Sequence, residues 1–278
     1  MKKRIAAVSM SRNDSFFLER WISHYGNILG YKNLYLFIDG IDQKLPLRAE
    51  KINCFQISHI KLSRLKADRF RAKMISNFAK ELHKRYDVVL ATDIDEFLVL
   101  DPNTGLKLNE YLSKNFISSS LSALGIDVAQ HPTFEKSIDK KKPFLSQRKY
   151  AFISDRYTKP IISLEPLNWG SGFHRVKGKD FTIDPNLFLF HFGLVDIKIL
   201  KNKHKDSELI SLGWNNHFKR RYKLYEKINN QIPIEADQLF EKAREYFKKN
   251  RKLIAWNKPS SLKMPDLIKI PKRFKGLV

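Results

Sequence analysis

The chain has 278 residues, 42% hydrophobic and 12% aromatic, enough to bury the core of one large α/β domain or of a domain with an appendage. Its 52 Lys and Arg against 29 Asp and Glu give a formal charge of +23, which favours anionic partners such as nucleic acid, an anionic membrane surface or phosphate-bearing substrates. The single cysteine, Cys54, excludes an intrachain disulfide and suits a reducing compartment, and no apolar run approaches the roughly 18 residues of a membrane span.

Met1-Lys2-Lys3-Arg4 resembles the start of a signal peptide, but the apolar stretch behind it is too short and runs into Ser11-Arg12-Asn13-Asp14. Residues 4–10 are therefore read as a first strand. N-cap residue types follow, and then Phe17, Leu18, Trp21, Ile22, Tyr25, Ile28 and Leu29 recur at helical spacing as far as Gly30. Residues 33–38 form a second strand that ends at Asp39-Gly40. Strand, helix and strand in close succession make a βαβ unit with a parallel sheet. A third strand is expected over 52–60, and a helix over 67–85 with Phe70, Met74, Ile75, Phe78, Ala79 and Leu82 on one face.

Residues 87–92 read as a buried strand that stops at three carboxylates, Asp93, Asp95 and Glu96. Alternation along an extended chain would turn Asp93 and Asp95 to one side and Ile94 to the other. Two carboxylates placed so repel unless a cation lies between them, and a hard divalent ion carrying a phosphate is the usual solution. The plain alternative is a solvated acidic turn. In open α/β sheets ligands bind beyond the carboxyl ends of the strands, where Ser11-Arg12-Asn13, Asp39 and the Asp93/Asp95 pair all fall.

Beyond residue 120 the pattern becomes irregular. Residues 121–127 are strand-like, 140–143 a basic turn, 169–174 a glycine-rich loop, and 186–192 an apolar strand carrying His191. No P-loop or dinucleotide-binding glycine pattern occurs. Residues 201–278 hold twenty Lys and Arg against eight Asp and Glu. Ala236, Leu239, Phe240, Ala243 and Phe247 mark an amphipathic helix there, while Pro265 and Pro271 prevent one long helix in the tail, 262–278. The organisation expected is a main α/β domain over 1–200 followed by a basic helical region over 201–278.

Val8-Ser9-Met10-Ser11-Arg12-Asn13-Asp14, then Trp21, His24 and Tyr25, Asp39-Gly40, and Ala91-Thr92-Asp93-Ile94-Asp95-Glu96-Phe97 together resemble a family 2-type glycosyltransferase of the GT-A fold. Gly172-Phe173-His174 and Phe190-His191-Phe192 resemble later elements of the branch related to domain-of-unknown-function-23 and family 92 enzymes, and the resemblance spans roughly residues 4 to 196. It implies a GT-A-like, Rossmann-related, mostly parallel sheet flanked by helices, with the basic helical C-terminal extension outside it. It also implies a nucleotide-sugar donor, a glycan or glycolipid acceptor of the kind used in bacterial surface polysaccharide or lipopolysaccharide synthesis, and Mn²⁺ or Mg²⁺ as a Lewis acid at the diphosphate. By matching positions, Asp93 and Asp95 contact the metal and the ribose, Asp39 lies near the base or ribose, and Ser11, Arg12 and Asn13 flank the nucleotide. Their structural alternatives are a helix cap, a turn residue and a surface arginine.

Other candidates come from residue type and place. His191 is read as a third metal ligand or phosphate donor, with a core histidine as the alternative. Lys159, and less distinctively Arg148 and Lys149, can meet the diphosphate. His174 follows Gly170 and Gly172, where backbone can approach a sugar, and Trp169 is placed to stack on an acceptor ring or to fill the core. The general base for an inverting transfer is sought among Asp127, Glu135, Glu165, Asp180 and Glu96. Asp127 and Glu165 are preferred, and Glu96 is read as support behind the metal pair.

Two other classes compete with the transferase. A nucleotidyl or phosphoryl transferase would use the same acidic pair but wants a phosphate cradle, for which only Ser11-Arg12-Asn13 is available. A nucleic-acid-binding protein suits the charge, but no zinc knuckle, RNA-recognition aromatic motif or helix-turn-helix pattern appears. On the favoured reading the protein is cytoplasmic, with its basic C-terminal region held at the inner face of an anionic membrane by about 1 kcal/mol per Lys or Arg near the surface.

Overall fold

The computed structural model describes residues 2–176, 182–249 and 267–278. Ile5–Ser11 (β1) and Leu34–Asp39 (β2) are buried along nearly their whole length, the mark of strands covered on both faces. Ser15–Leu29 (α1) joins them and turns Phe17, Leu18, Trp21, Ile22 and Tyr25 inward, the spacing read from the sequence. Asn53–Ile57 (β3) is shorter than the 52–60 expected, because the chain leaves the sheet after Ile57.

Arg64–Leu82 (α2) begins three residues before the expected start and buries Ala72, Ile75, Ser76, Ala79 and Leu82. Phe70, assigned to the inner face from its spacing, lies outside at 40% exposure. Val88–Ala91 (β4) is buried throughout. β4, β1, β2 and β3 are adjacent and parallel in that order, so the carboxyl ends of β1, β2 and β4 open on the same edge. This half is the Rossmann-like βαβ arrangement.

The second half of the sheet is mixed. Glu96–Leu100 (β5) is followed by a short helix, Leu108–Leu112 (α3), and by Ser120–Ala129 (β6), every residue of which is buried. Tyr150–Ile153 (β7) and the two-residue Ile162–Ser163 (β8) run antiparallel to β6, and β8 also bridges to β4. Thr182–Leu194 (β9) lies parallel to β6 and antiparallel to β5. Glu96 and Asp127 are both register partners of His191 across these two ladders, which sets Glu96, His191 and Asp127 in a row over three strands.

Gly125, in the middle of β6, makes a second feature possible. A Cβ there would meet the carbonyl carbon of Tyr157 at 2.3 Å and the Thr158 nitrogen at 2.4 Å. Only glycine admits the 154–159 segment so close, and that segment is fixed by Ser154 N–H to the Gly125 carbonyl at 2.8 Å and Gly125 N–H to Thr158 Oγ1 at 2.9 Å.

The C-terminal region contains Ile197–His204 (α4), Ser207–Ser211 (α5), Asn215–Asn230 (α6) and Asp237–Lys249 (α7). It also supplies two strands, Ile234–Glu235 (β10) and Leu267–Lys269 (β11), that extend the same sheet beyond β7. Phe240 and Phe274 pack on Phe188 of β9 with ring centroids 4.9 and 5.0 Å apart, burial that contributes about 1.5–3 kcal/mol per side chain. Among the described residues no helix is long and apolar enough to cross a membrane.

Candidate active site

Four of the expected positions, Ser11, Arg12, Asn13 and Asp39, lie where β1 and β2 end. Arg12 donates from Nη1 to the Asp39 carbonyl at 2.7 Å and pairs with Asp42 at 3.2 Å. Gly40 makes room for this, since a Cβ would lie 2.4 Å from Arg12 Nη1. Asn13 adopts φ 53°, a left-handed conformation that asparagine tolerates, and its N–H donates to Gln43 Oε1 at 2.9 Å. Ser11 is the last, buried residue of β1. The Asp39 carboxylate is held by His59, whose Nδ1 lies 3.0 Å from each oxygen. His59 escaped the sequence reading because nothing local links a histidine past β3 to a carboxylate past β2.

The acidic motif occupies a tight turn between β4 and β5 rather than an extended strand end. Glu96 N–H donates to the Asp93 carbonyl and Asp93 N–H to Glu96 Oε2, each at 3.1 Å. Ile94 is buried as alternation predicts, but the two aspartates meet different cations. Asp93 Oδ1 lies 2.9 Å from Nη1 of Arg71 on α2, and Oδ2 lies 2.9 Å from Nζ of Lys159. Lys159, 1% exposed, also pairs with Glu96. Burial opposes ionisation of Asp93, yet Arg71 and Lys159 outweigh it and lower its pKa. Burial dominates at Glu96, whose pKa rises to about 7 despite Lys159.

Asp95 heads a second chain of contacts. Its Oδ2 lies 3.2 Å from Nε2 of His191, while Nδ1 of His191 lies 2.7 Å from Oδ1 of Asp127. Arg221, on α6, binds Asp127 Oδ2 from Nη1 at 3.1 Å and donates from Nη2 to the Tyr157 hydroxyl. The Tyr157 ring stacks on His191 with centroids 3.6 Å apart and planes 14° apart. Burial works against charge on His191, but the two flanking carboxylates raise its pKa, and the imidazolium in turn holds Asp95 well below the usual carboxylate range. Lys203 of α4, bonded to Asp14 at 2.9 Å, adds a further cation beside Asp95. Asp14 is thus engaged by Lys203 and makes no side-chain cap for α1.

The donor set fits a divalent ion in part. Each oxygen of Asp93 faces a cation, Oδ1 that of Arg71 without a hydrogen bond and Oδ2 that of Lys159, so an ion bound by Asp93 would take the place of the Arg71 guanidinium at Oδ1. Asp95 and Nε2 of His191 fit once the imidazolium gives up its Nε2 proton, because a carboxylate on the opposite ring nitrogen, here Asp127, is the partner that orients metal-binding histidines. Among the described residues no group of three or more His, Cys, Asp or Glu side chains is arranged to hold a metal. The remaining donors would have to come from ligand and water.

Other candidates are corrected by the structure. Glu165 follows β8, which runs antiparallel to β4 from Leu90 back to Val89, and its charge reaches His83 at the far end of α2. Arg71 and His83 are twelve residues apart on that helix, roughly 18 Å at 1.5 Å per residue, so Glu165 is not brought to the site. Asp127 is in the site, but with both oxygens engaged and its pKa lowered it orients His191 instead of standing ready as a base. Trp169 is core: its Nε1 donates to the Pro160 carbonyl at 2.7 Å and its ring meets Phe173 edge-on. His174 lies at the rim, its Nδ1 2.7 Å from the Arg156 carbonyl. Glu135 and Arg148 lie apart from the site, around a cavity of about 260 Å³ at the start of β7. Asp180 and residues 262–266 lie outside the described residues.

No family model matches the chain, and no curated protein matches it. Among solved structures it is similar to the mannose-1-phosphate geranyltransferase of Thermus thermophilus, at 11% identity over 82% of this chain and 66% of that one, with a TM-score of 0.29. The chain therefore spans just under two thirds of that neighbour's length, and a likeness of this degree carries no argument about activity.

Proposed function

We propose that this protein is a glycosyltransferase of the GT-A type that moves a sugar from a nucleotide-linked donor to a glycan or glycolipid acceptor. The observation that carries the proposal is the convergence, along one sheet edge, of Arg12 and Asp39 with the Asp93–Asp95 turn and His191. Asp39, oriented by His59, is the natural partner for a ribose or base. Asp95 and His191 would hold Mn²⁺ or Mg²⁺, which when bound neutralises charge on a diphosphate as a Lewis acid.

The chain's own residues supply the rest. Lys159 and Arg71 pin the β4–β5 turn through Asp93. Arg221 and Asp127 fix the tautomer and tilt of His191, with Tyr157 closing one ring face. Lys203 and Arg221 add positive potential where a departing diphosphate would build negative charge. The lysine- and arginine-rich residues 201–278 support a peripheral association with an anionic membrane.

The test is turnover of nucleotide sugars, read as release of the nucleoside diphosphate from a panel of donors. One donor should be consumed by the wild type, and Asp95→Asn should lose that turnover by at least about a hundredfold while still melting cooperatively above the assay temperature, because Asp95 is a partly exposed turn residue. Equal turnover by Asp95→Asn would contradict the assignment.

A further inference from the structure

Three arginines gather around one neutral histidine on the α6 side of the site. His217, on the first turn of α6, has Nδ1 3.4 Å from Nη2 of Arg220 and Nε2 3.5 Å from Nε of Arg221. Trp214 meets the His217 ring edge-on at 5.2 Å and carries the Arg64 guanidinium over its own face at 4.8 Å. Arg64 is held in place from the start of α2, where its N–H donates to the Leu212 carbonyl at 3.0 Å. Arg156, on the turn after β7, adds to the same field at Arg220.

This cluster is unbalanced. The charges that act most strongly on Arg220 are those of Arg156, Arg221 and Arg64, opposed by the Tyr157 hydroxyl, and among the described residues no carboxylate lies within ion-pair distance of Arg64, Arg156 or Arg220. Arg64 Nε is buried without a hydrogen-bond acceptor among the described residues. Burial and the neighbouring arginines push the His217 pKa down to about 2, so the ring adds no charge of its own and serves as a neutral spacer. A basic surface in a chain of charge +23 needs no ligand to explain it. Ordering by an aromatic face and a half-buried imidazole is another matter, because solvated arginines avoid one another when nothing holds them together. Planar guanidinium forks left without an ion-paired carboxylate match the oxygens of a phosphate.

Arg221 separates this cluster from the Asp95 row. Its Nε faces His217, whereas its terminal nitrogens are taken by Asp127 and Tyr157. We propose that Arg64, Arg156 and Arg220 form a phosphate-binding subsite, distinct from the place of the donor diphosphate and occupied by a phosphate group of the acceptor. The word acceptor rests on the transferase reading above; the phosphate subsite does not.

The experiment is a melting-temperature titration of the full chain with inorganic pyrophosphate against chloride at matched ionic strength, alone and with a saturating nucleoside diphosphate. Pyrophosphate should raise the melt further when the nucleotide is already saturating. Arg220→Gln, at an exposed position, and Arg64→Gln should each weaken that increment about tenfold in apparent affinity, the loss of one charge-assisted hydrogen bond, and leave the nucleotide increment unchanged. Three results would overturn the subsite: no effect beyond ionic strength, an increment indifferent to both substitutions, or mutual exclusion of pyrophosphate and nucleotide. A pyrophosphate increment lost in the variants, with no nucleotide shift under any condition, would uphold the subsite and sink the transferase reading.

Discussion

Arg221 reaches from α6 to Asp127 on β6, Nη1 to Oδ2 at 3.1 Å, so a residue of the basic C-terminal region closes the row that begins at Asp95. Both side chains are almost fully buried, 4% and 6% exposed. Removing the guanidinium alone strands a buried carboxylate. Arg221→Met should therefore cost about 3–5 kcal/mol in a urea melt, and most of that loss should vanish in the Arg221→Met/Asp127→Asn double variant. A single-variant loss under about 1 kcal/mol would mean that the pair is solvated.

Gly125 is the second sensitive point. Alanine there drives a methyl into the Tyr157–Thr158 backbone, which cannot yield as a side-chain tip can. Gly125→Ala should cost about 1–3 kcal/mol as overpacking and, by displacing Tyr157 and Lys159, weaken ligand binding at the Asp95 row. Chemical denaturation together with nucleotide titration reads both effects. An alanine variant of wild-type stability would show that the 154–159 segment does not sit on β6.

His24 gives one separable share of the pH dependence, beside His217, whose lowered pKa acts in the same direction, and Glu96, whose raised pKa acts in the opposite one. His24 is half-buried against Tyr25 and Phe97 with Nε2 3.0 Å from the Leu98 carbonyl, and the loss of water around the ring lowers its pKa from 6.5 to about 4. The unfolded chain takes up the proton first, so the neutral ring's contribution is complete above the unfolded value and is lost as pH falls from there toward the folded value. The loss amounts to about 3 kcal/mol at about 1.36 kcal/mol per pKa unit. His24→Gln keeps a donor and removes this limb. The depressed Asp93, Asp95 and Asp127 act later, losing their contribution as pH falls below the ordinary carboxylate value of 3.8. Urea midpoints of the wild type and of His24→Gln, taken from about pH 7 down to pH 4 and so above the carboxylate window, isolate the His24 share as the difference between the two slopes. A slope in that range unchanged in His24→Gln would place the titrating group elsewhere.

Much of the N-terminal half is legible in the sequence, because apolar runs and the Trp21/Tyr25 helical spacing are local signals of long, buried elements. The positions of Arg12, Asp39 and His191 at strand ends or in a strand are legible in the same way, whereas the tight turn that carries Asp93 and Asp95 and the pairing of Lys159 with Asp93 are not. Arg71, Tyr157, Lys203 and Arg221 are different. Each reaches the site from an element whose own pattern says only helix or turn, and in a chain with 52 Lys and Arg no local feature marks the three that pair inward or the tyrosine that stacks there. Trp169 failed for the opposite reason: a glycine-rich loop looks exposed, but Ser76 and Pro160 tie its indole and backbone into the layer under α2. The small strands β8, β10 and β11 carry too few residues for any periodicity.

The most direct test of the central claim is a melting-temperature panel of UDP, GDP, CDP and ADP, each with Mn²⁺ and with EDTA, on the wild type and on Asp95→Asn. At a hundred times its dissociation constant a ligand stabilises the fold by about 2.7 kcal/mol, a readily measured shift. One nucleotide should raise the melt only with metal present, and Asp95→Asn should abolish that shift. No nucleotide effect under any condition, or a full shift retained by Asp95→Asn, would contradict the account.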